Sequence, residues 1–451
     1  MNRVGNWRFA VPPLLAIVFT ILAFLRVPYV NGPRYWKWHW VRHDSALAVA
    51  AAFGFAALPA LISQVVRERT PERRYLIVGL LSLSAVALPL TASGLHRARS
   101  SPEWIRLVMT DASVTGFLTS AQEIVDFEHR RPDVNWVRVY DKIMPFFPLH
   151  ARTKPAGLVV AHYLVLRMAG VTGTMVIAVV VALVCAAALV VVASTAFRAM
   201  GFDGSIATDA ATLLVLAPSM TLFSPLPDIA YPLLTLTAIA CWWKAVMRSD
   251  LIAAAAAALV IFAASLMSYP LMGIGIPLFL ITVVRPPRSV LGPVAVAAAV
   301  FFGAYAVLAL TTHYPALAAF ESALDAQKWL LSRLRRPYPQ SIPFDVIDFC
   351  LGLGWVTPAL AVLGIAASRH MQMPLVGRTL LIGGVLTPVA IAAMGLMQAE
   401  NARVWIFLMP LAALPAAIEL STWPLRPRLV ACASLVMVTI ALHSTMEFIF
   451  V

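Results

Sequence analysis

Long apolar runs separated by short polar connections fill most of the chain. The runs fall at 9–25, 45–66, 75–93, 171–197, 205–222, 227–247, 251–268, 271–284, 289–311, 348–367, 378–398, 402–422 and 428–447. About 20 apolar residues carry a helix across a bilayer, so the pattern predicts an all-α polytopic transmembrane bundle with about thirteen crossings. One further apolar piece, 156–169, is short for a crossing. The longest polar interruption runs from Gly94 to Gly170, and a second covers 312–347, with an amphipathic segment around Phe320–Leu334. Breakers agree with the runs: Pro12-Pro13 opens the first helix, Pro218 ends another, and Tyr269-Pro270 separates two short ones. With no linker and no repeat period, the chain reads as a single membrane-embedded domain over 1–451.

Composition removes the soluble alternative, since 61% of residues are hydrophobic, 12% are charged and the mean hydropathy is +0.84. The net charge of +13 gathers in the connections. That is topogenic charge and attraction to anionic lipid rather than nucleic-acid binding. Short basic connections belong on the cytoplasmic side: Arg67 to Arg74, Lys244 with Arg248, Arg285 with Arg288, Arg369 with Arg378, and Arg426 with Arg428. Counting from either end then puts 94–155, Pro218–Asp228, 312–347 and Glu400–Arg403 outside. The two counts agree only if 156–169 does not cross, so it is expected to lie at the outer face as a juxtamembrane or re-entrant helix. The first run reads as a retained helix with the aromatic collar Tyr35 to Trp40, not a cleaved leader. Cys185, Cys241, Cys350 and Cys432 are widely spaced and suggest neither a metal site nor a disulfide framework. The alanine- and arginine-rich composition points to a bacterial cytoplasmic membrane.

The first outer loop holds seven of the 21 acidic residues, Glu103, Asp111, Glu123, Asp126, Glu128, Asp133 and Asp141. Asp111 follows the amphipathic stretch Trp104–Met109, which would lay its apolar face on the bilayer. A partly desolvated carboxylate there suits a general base on a hydroxyl; the alternative is an N-cap for a helix over 112–124. His150, Arg152 and Lys154 form a cationic cluster where 156–169 begins, suited to a phosphate or to headgroup anchoring. Asp228 stands at an outer helix start, where capping would also explain it. Glu400 and Arg403 are spaced to pair on one helix face. No nucleotide loop, HExxH or nucleophile elbow occurs. No cofactor is implied, and a divalent metal is left open.

Thr153-Lys154-Pro155-Ala156-Gly157-Leu158, followed by an apolar segment and Met168-Ala169-Gly170, resembles the K/H-P-P-L stretch of GT-C-fold glycosyltransferases. These polytopic enzymes, the lipid A aminoarabinose transferases and protein mannosyltransferases among them, take a sugar from a polyprenyl phosphate. The resemblance implies that Lys154 meets the donor phosphate and that Asp111 and Asp228 stand for the acids of the first and second outer loops. Glu400-Asn401-Ala402-Arg403-Val404-Trp405-Ile406-Phe407-Leu408-Met409-Pro410 resembles an E-x-x-R-x-W-x-F-x-x-P signature of membrane proteins of this broad class. Ala156 replaces the usual second proline, Asp111 is followed by alanine rather than an acid, and two extra helices precede the loop. The expectation is an inverting transferase acting at the outer face on a lipid, glycan or protein acceptor. Asp111 and Asp228 would be catalytic, Lys154, Arg152, His150 and Arg336 would meet the donor phosphate, and Glu400, Arg403 and Tyr338 are further candidates. A transporter or flippase of lipid-linked sugars and a non-catalytic assembly subunit on the same scaffold stay open.

Overall fold

The computed structural model describes residues 7–32, 38–41, 46–66, 70–95, 101–111, 114–334, 338–369, 371, 373–395 and 400–447. Among them, eight helices are long and apolar enough to cross a membrane: Trp7–Phe24, Leu47–Val66, Glu72–Gly94, Gly157–Ala199, Pro227–Arg248, Pro287–Thr312, Leu375–Ala393 and Leu425–Thr445. Ile342–Gly352 and Val356–Ser368 together make a ninth if taken as one broken span, and four shorter apolar helices accompany them. Strand is confined, among the described residues, to His39–Trp40 paired antiparallel with Met446–Glu447. The chain is an all-α integral membrane protein. Its outer surface carries exposed Phe55, Val184, Phe302 and Leu310, as expected where the surrounding solvent is hydrocarbon. Inside, small residues let helices approach closely. A Cβ at Gly364 would collide with the Pro415 carbonyl, so Val356–Ser368 and Met409–Ser421 meet backbone to backbone.

Three of the expected spans are broken rather than straight. The run 348–367 is bent by 101° between Ile342–Gly352 and Val356–Ser368, where Gly354 and Trp355 have φ of +78° and +61°. The run 205–222 stops at Val215 and restarts at Pro218, which lacks the N–H that a continuous helix needs. The run 402–422 divides into Asn401–Val404, the 3-10 turn Ile406–Leu408 and Met409–Ser421. The breaks meet at one end of the bundle. Ser219 Oγ donates to the Ala402 carbonyl at 2.6 Å, and a Cβ at Gly352 would collide with that same hydroxyl. Val41 N–H donates to the Thr445 carbonyl at 2.8 Å at this end too. The opposite end gathers other connections, where Arg428 Nη2 donates to the Gln64 carbonyl at 2.7 Å.

The long first loop folds into Ser101–Thr110, Phe117–Arg130, a series of short turns over 136–146, and Leu149–Arg152. Two expectations change here. Trp104 and Val108 are buried in the main core, so Ser101–Thr110 lays its apolar face on the bundle and not on lipid. The next helix begins at Phe117 with Gly116 at its N-cap, so Asp111 closes the preceding helix and is not the N-cap of this one. Gly116 has φ +65°, and a Cβ there would collide with Pro148, which brings the end of the Asp111 turn against the start of the Lys154 segment. The helix Ala316–Leu334 roofs this loop. Its Ala319 and Ala323 pack with Phe117, Ile124, Trp136 and Tyr140 in a second core.

Gly157–Ala199 runs for 43 residues, about 65 Å if straight at 1.5 Å per residue and about twice the hydrocarbon thickness. It is not straight. Gly170 has φ 67° and ψ −177°, a conformation that side chains with a Cβ essentially never adopt. The break separates 157–169 from the helix that follows. The first part packs on the loop: Tyr163 donates its hydroxyl to both Glu128 oxygens at 2.8 Å, and Arg167 pairs with Glu128 at 3.1 Å. Gly170→Ala should therefore lower stability by about 1–3 kcal/mol, read as a depressed Tm of the detergent-purified protein. An unchanged Tm would mean that a continuous helix serves equally well.

Candidate functional site

Three chain segments converge at the end where the spans are broken. After Leu149–Arg152 the chain turns, and Pro155 prevents that short helix from running on into the next, which leaves Lys154 in the turn. Pro225 and Pro227 hold the second segment in turns, and its 3-10 stretch Pro227–Ala230 presents Asp228. The third starts with Glu400 in the left-handed region at φ 58° and continues into Asn401–Val404, which carries Arg403. A side chain with a Cβ is uncommon in that conformation; here it turns Glu400 back towards Arg403.

Asp228 binds both cations. Its Oδ1 lies 3.7 Å from Lys154 Nζ and its Oδ2 3.3 Å from Arg403 Nε. Arg403 Nη1 is 3.6 Å from Glu400 Oε2. The four residues are only 8% (Lys154), 1% (Asp228), 4% (Arg403) and 9% (Glu400) exposed. Each charge alone would cost several kcal/mol to bury; together two cations and two carboxylates are formally neutral. Aromatic rings line the lysine. Lys154 Nζ donates to the Tyr231 hydroxyl at 3.3 Å and lies 5.5 Å and 5.9 Å from the Tyr231 and Phe117 ring centres. His150, half-buried, is within electrostatic reach of Asp228. Burial pulls the Lys154 ammonium below the usual lysine pKa of 10.5; Asp228 and Glu400 oppose this, while Arg403 adds to it.

A second set of acids fixes the arginine segment. Asp345 accepts from Asn401 Nδ2 at 2.6 Å, and Asp348 Oδ2 accepts from the Ala402 N–H at 3.1 Å. The other Asp348 oxygen accepts from Trp38 Nε1 at 2.5 Å. Both acids are buried on Ile342–Gly352, so the bend in that broken span sets the position of Arg403.

Of the residues singled out from sequence, Lys154, Asp228, Glu400 and Arg403 come together, with His150 beside them. The capping explanation of Asp228 gives way to ion pairing, and the expected Glu400–Arg403 pair is present. Asp111 is half-buried at the end of Ser101–Thr110, its carbonyl accepting from Val114 N–H at 3.2 Å. Arg152 turns to Trp329, with its Cζ 4.7 Å from the ring centre. Tyr338 donates to the Ala393 carbonyl at 2.6 Å, at the end of the helix that leads towards Glu400. Arg336 lies outside the described residues. Sequence reasoning missed Tyr231, Asp345, Asp348 and Trp38. The two acids carried a signal, since carboxylates three residues apart at the head of an apolar run need buried partners. Among the described residues no three His, Cys, Asp or Glu side chains come together as a metal site. No protein-family model matches the chain, and no curated protein does either.

Replacing Asp348 by leucine would strand the Trp38 and Ala402 N–H groups. The expected loss is on the order of 2–5 kcal/mol, measured by thermal unfolding in detergent. Trp38→Phe should cost less, because it removes a donor and leaves the Ala402 bond in place. Equal losses in the two variants would contradict this account of the segment.

Proposed function

We propose that the protein is an inverting membrane glycosyltransferase of the GT-C kind. It would move a sugar from a polyprenyl-phosphate donor to a hydroxyl of a lipid, glycan or protein acceptor at the outer face of a bacterial cytoplasmic membrane crossed thirteen times. One observation carries the reading. Lys154 and Arg403 belong to the two stretches that resemble such enzymes and lie far apart in sequence, yet they share the carboxylate of Asp228.

In this reading the acids of the site balance its cations before a donor binds. An incoming phosphate takes the place of Asp228 as partner of Lys154 and Arg403. The acceptor oxygen attacks the anomeric carbon in line, and the bond from that carbon to the phosphate oxygen breaks. The leaving phosphate keeps the electron pair. Lys154 and Arg403 stabilise the charge that grows on it, while the hydroxyl proton passes to a carboxylate, for which Asp111 on the neighbouring turn is the candidate. His150 stands beside Asp228, close to where the phosphate would sit. Glu400 keeps Arg403 oriented.

A second reading, as a transporter of lipid-linked sugars, is favoured by the buried Asp209 and Arg428 in the half of the bundle away from this site, beside Gln64 and Thr212. Ionisable residues inside spans commonly line a transport path.

Reconstituted vesicles supplied with radiolabelled polyprenyl-phosphate sugars separate the two. The transferase reading predicts covalent transfer of label to an extractable acceptor, reduced about 10²-fold or more in Lys154→Ala. Transfer should also fall with rising pH, because only protonated Lys154 stabilises the phosphate. Burial places that loss below the ordinary lysine value of 10.5. Movement of label across the vesicle membrane without transfer would reject the enzyme in favour of the transporter.

A further inference from the structure

Arg152 does not join the Lys154 cluster, and where it goes defines a separate feature. Its guanidinium lies over the indole of Trp329, and Arg333 lies over the same ring at 4.9 Å. Two like charges therefore stand within about 10 Å of each other. Among the described residues neither guanidinium has a carboxylate in ion-pair contact. The nearby acid Asp325 is engaged by Lys328 at 3.4 Å. The Arg152 Nε is buried and has no hydrogen-bond partner, so the packing around Trp329 does not satisfy all of the Arg152 donors.

The surroundings identify the oxygen's source. Ala316–Leu334 starts within four residues of the end of the apolar helix Pro287–Thr312, so it begins at the level of the membrane edge. It buries Ala319 and Ala323 against the outer loop and leaves Leu317 and Phe320 exposed. Trp329 is 46% exposed, and indole rings favour the headgroup region. Guanidinium groups bind phosphate through paired N–H donors. A membrane beside the start of this helix would hold anionic lipid at high local concentration, whereas a free anion must be captured from dilute solution.

We propose that Arg152 and Arg333, both held against the Trp329 indole, bind the phosphate of an anionic membrane lipid. The lipid holds Ala316–Leu334 against the outer loop through Arg152, next to the segment that carries Lys154. The site is distinct from the Lys154–Arg403 cluster, and its existence does not depend on the transferase reading.

The test is the shift in thermal unfolding of detergent-purified protein titrated with short-chain phosphatidylglycerol, phosphatidylcholine or inorganic phosphate, with no sugar donor present. Phosphatidylglycerol should stabilise the protein saturably and more strongly than phosphatidylcholine. In Arg152→Gln/Arg333→Gln its half-saturation should rise on the order of tenfold or more, the scale of losing charge-assisted hydrogen bonds. Lys154→Met, compared with its own baseline, should keep the wild-type shift, which separates this site from the proposed donor site. An unaltered response in the double glutamine variant would overturn the site. Stabilisation by inorganic phosphate equal to that by phosphatidylglycerol would overturn its assignment to a lipid.

Discussion

The Asp228 carboxylate, held between Lys154 and Arg403, is the contact on which this end of the molecule depends. Four ionisable groups cannot be buried in an apolar bundle unless their charges cancel at close range. That requirement brings together segments separated by most of the chain: the close of the long first loop, the turn ahead of Tyr231, and the stretch opening with Glu400. Straight helices could not deliver them. The breaks near Ser219, Gly354 and Trp405 expose backbone that only protein partners can satisfy inside a membrane, and Asp348 and Ser219 supply such partners.

The neutrality of the cluster comes from its own acids, so in the proposed reaction an external phosphate would compete with groups already present. Tyr231 and Phe117 exclude water from the lysine, which strengthens whichever partner it holds. The surrounding loop is tied down by Glu128 with Tyr163 and Arg167, and by the roofing helix Ala316–Leu334. Binding and reaction would thus occur between two layers, a broken-span floor and a folded loop.

Much of the architecture could be read from polarity. Apolar runs located the helices because burial in lipid demands length and composition, and the mismatch at 156–169 marked the boundary that Gly170 forms with its left-handed φ. Lys154, Asp228, Glu400 and Arg403 were recognisable because charge at the edge of an apolar run is costly. Beyond the local Glu400–Arg403 pair, their mutual contacts were not, since ion pairs between distant segments leave no periodic trace. The bends at Gly354 and Trp405 also escaped notice: their apolar flanks satisfy the pattern of a straight span, and only tertiary partners make the break affordable. Trp104 was misdirected for a related reason, because an amphipathic face fits a bilayer or a protein bundle equally well in sequence.

The most direct test of the central claim is equilibrium binding of a short-chain prenyl phosphate to the wild-type protein and to folded Asp228→Asn. If Asp228 is the internal counter-ion that phosphate displaces, removing its charge while keeping its shape should tighten binding on the order of tenfold or more, the scale of one charge-assisted interaction. Unchanged or weaker binding by the folded variant would contradict the account and leave Asp228 as a structural clamp.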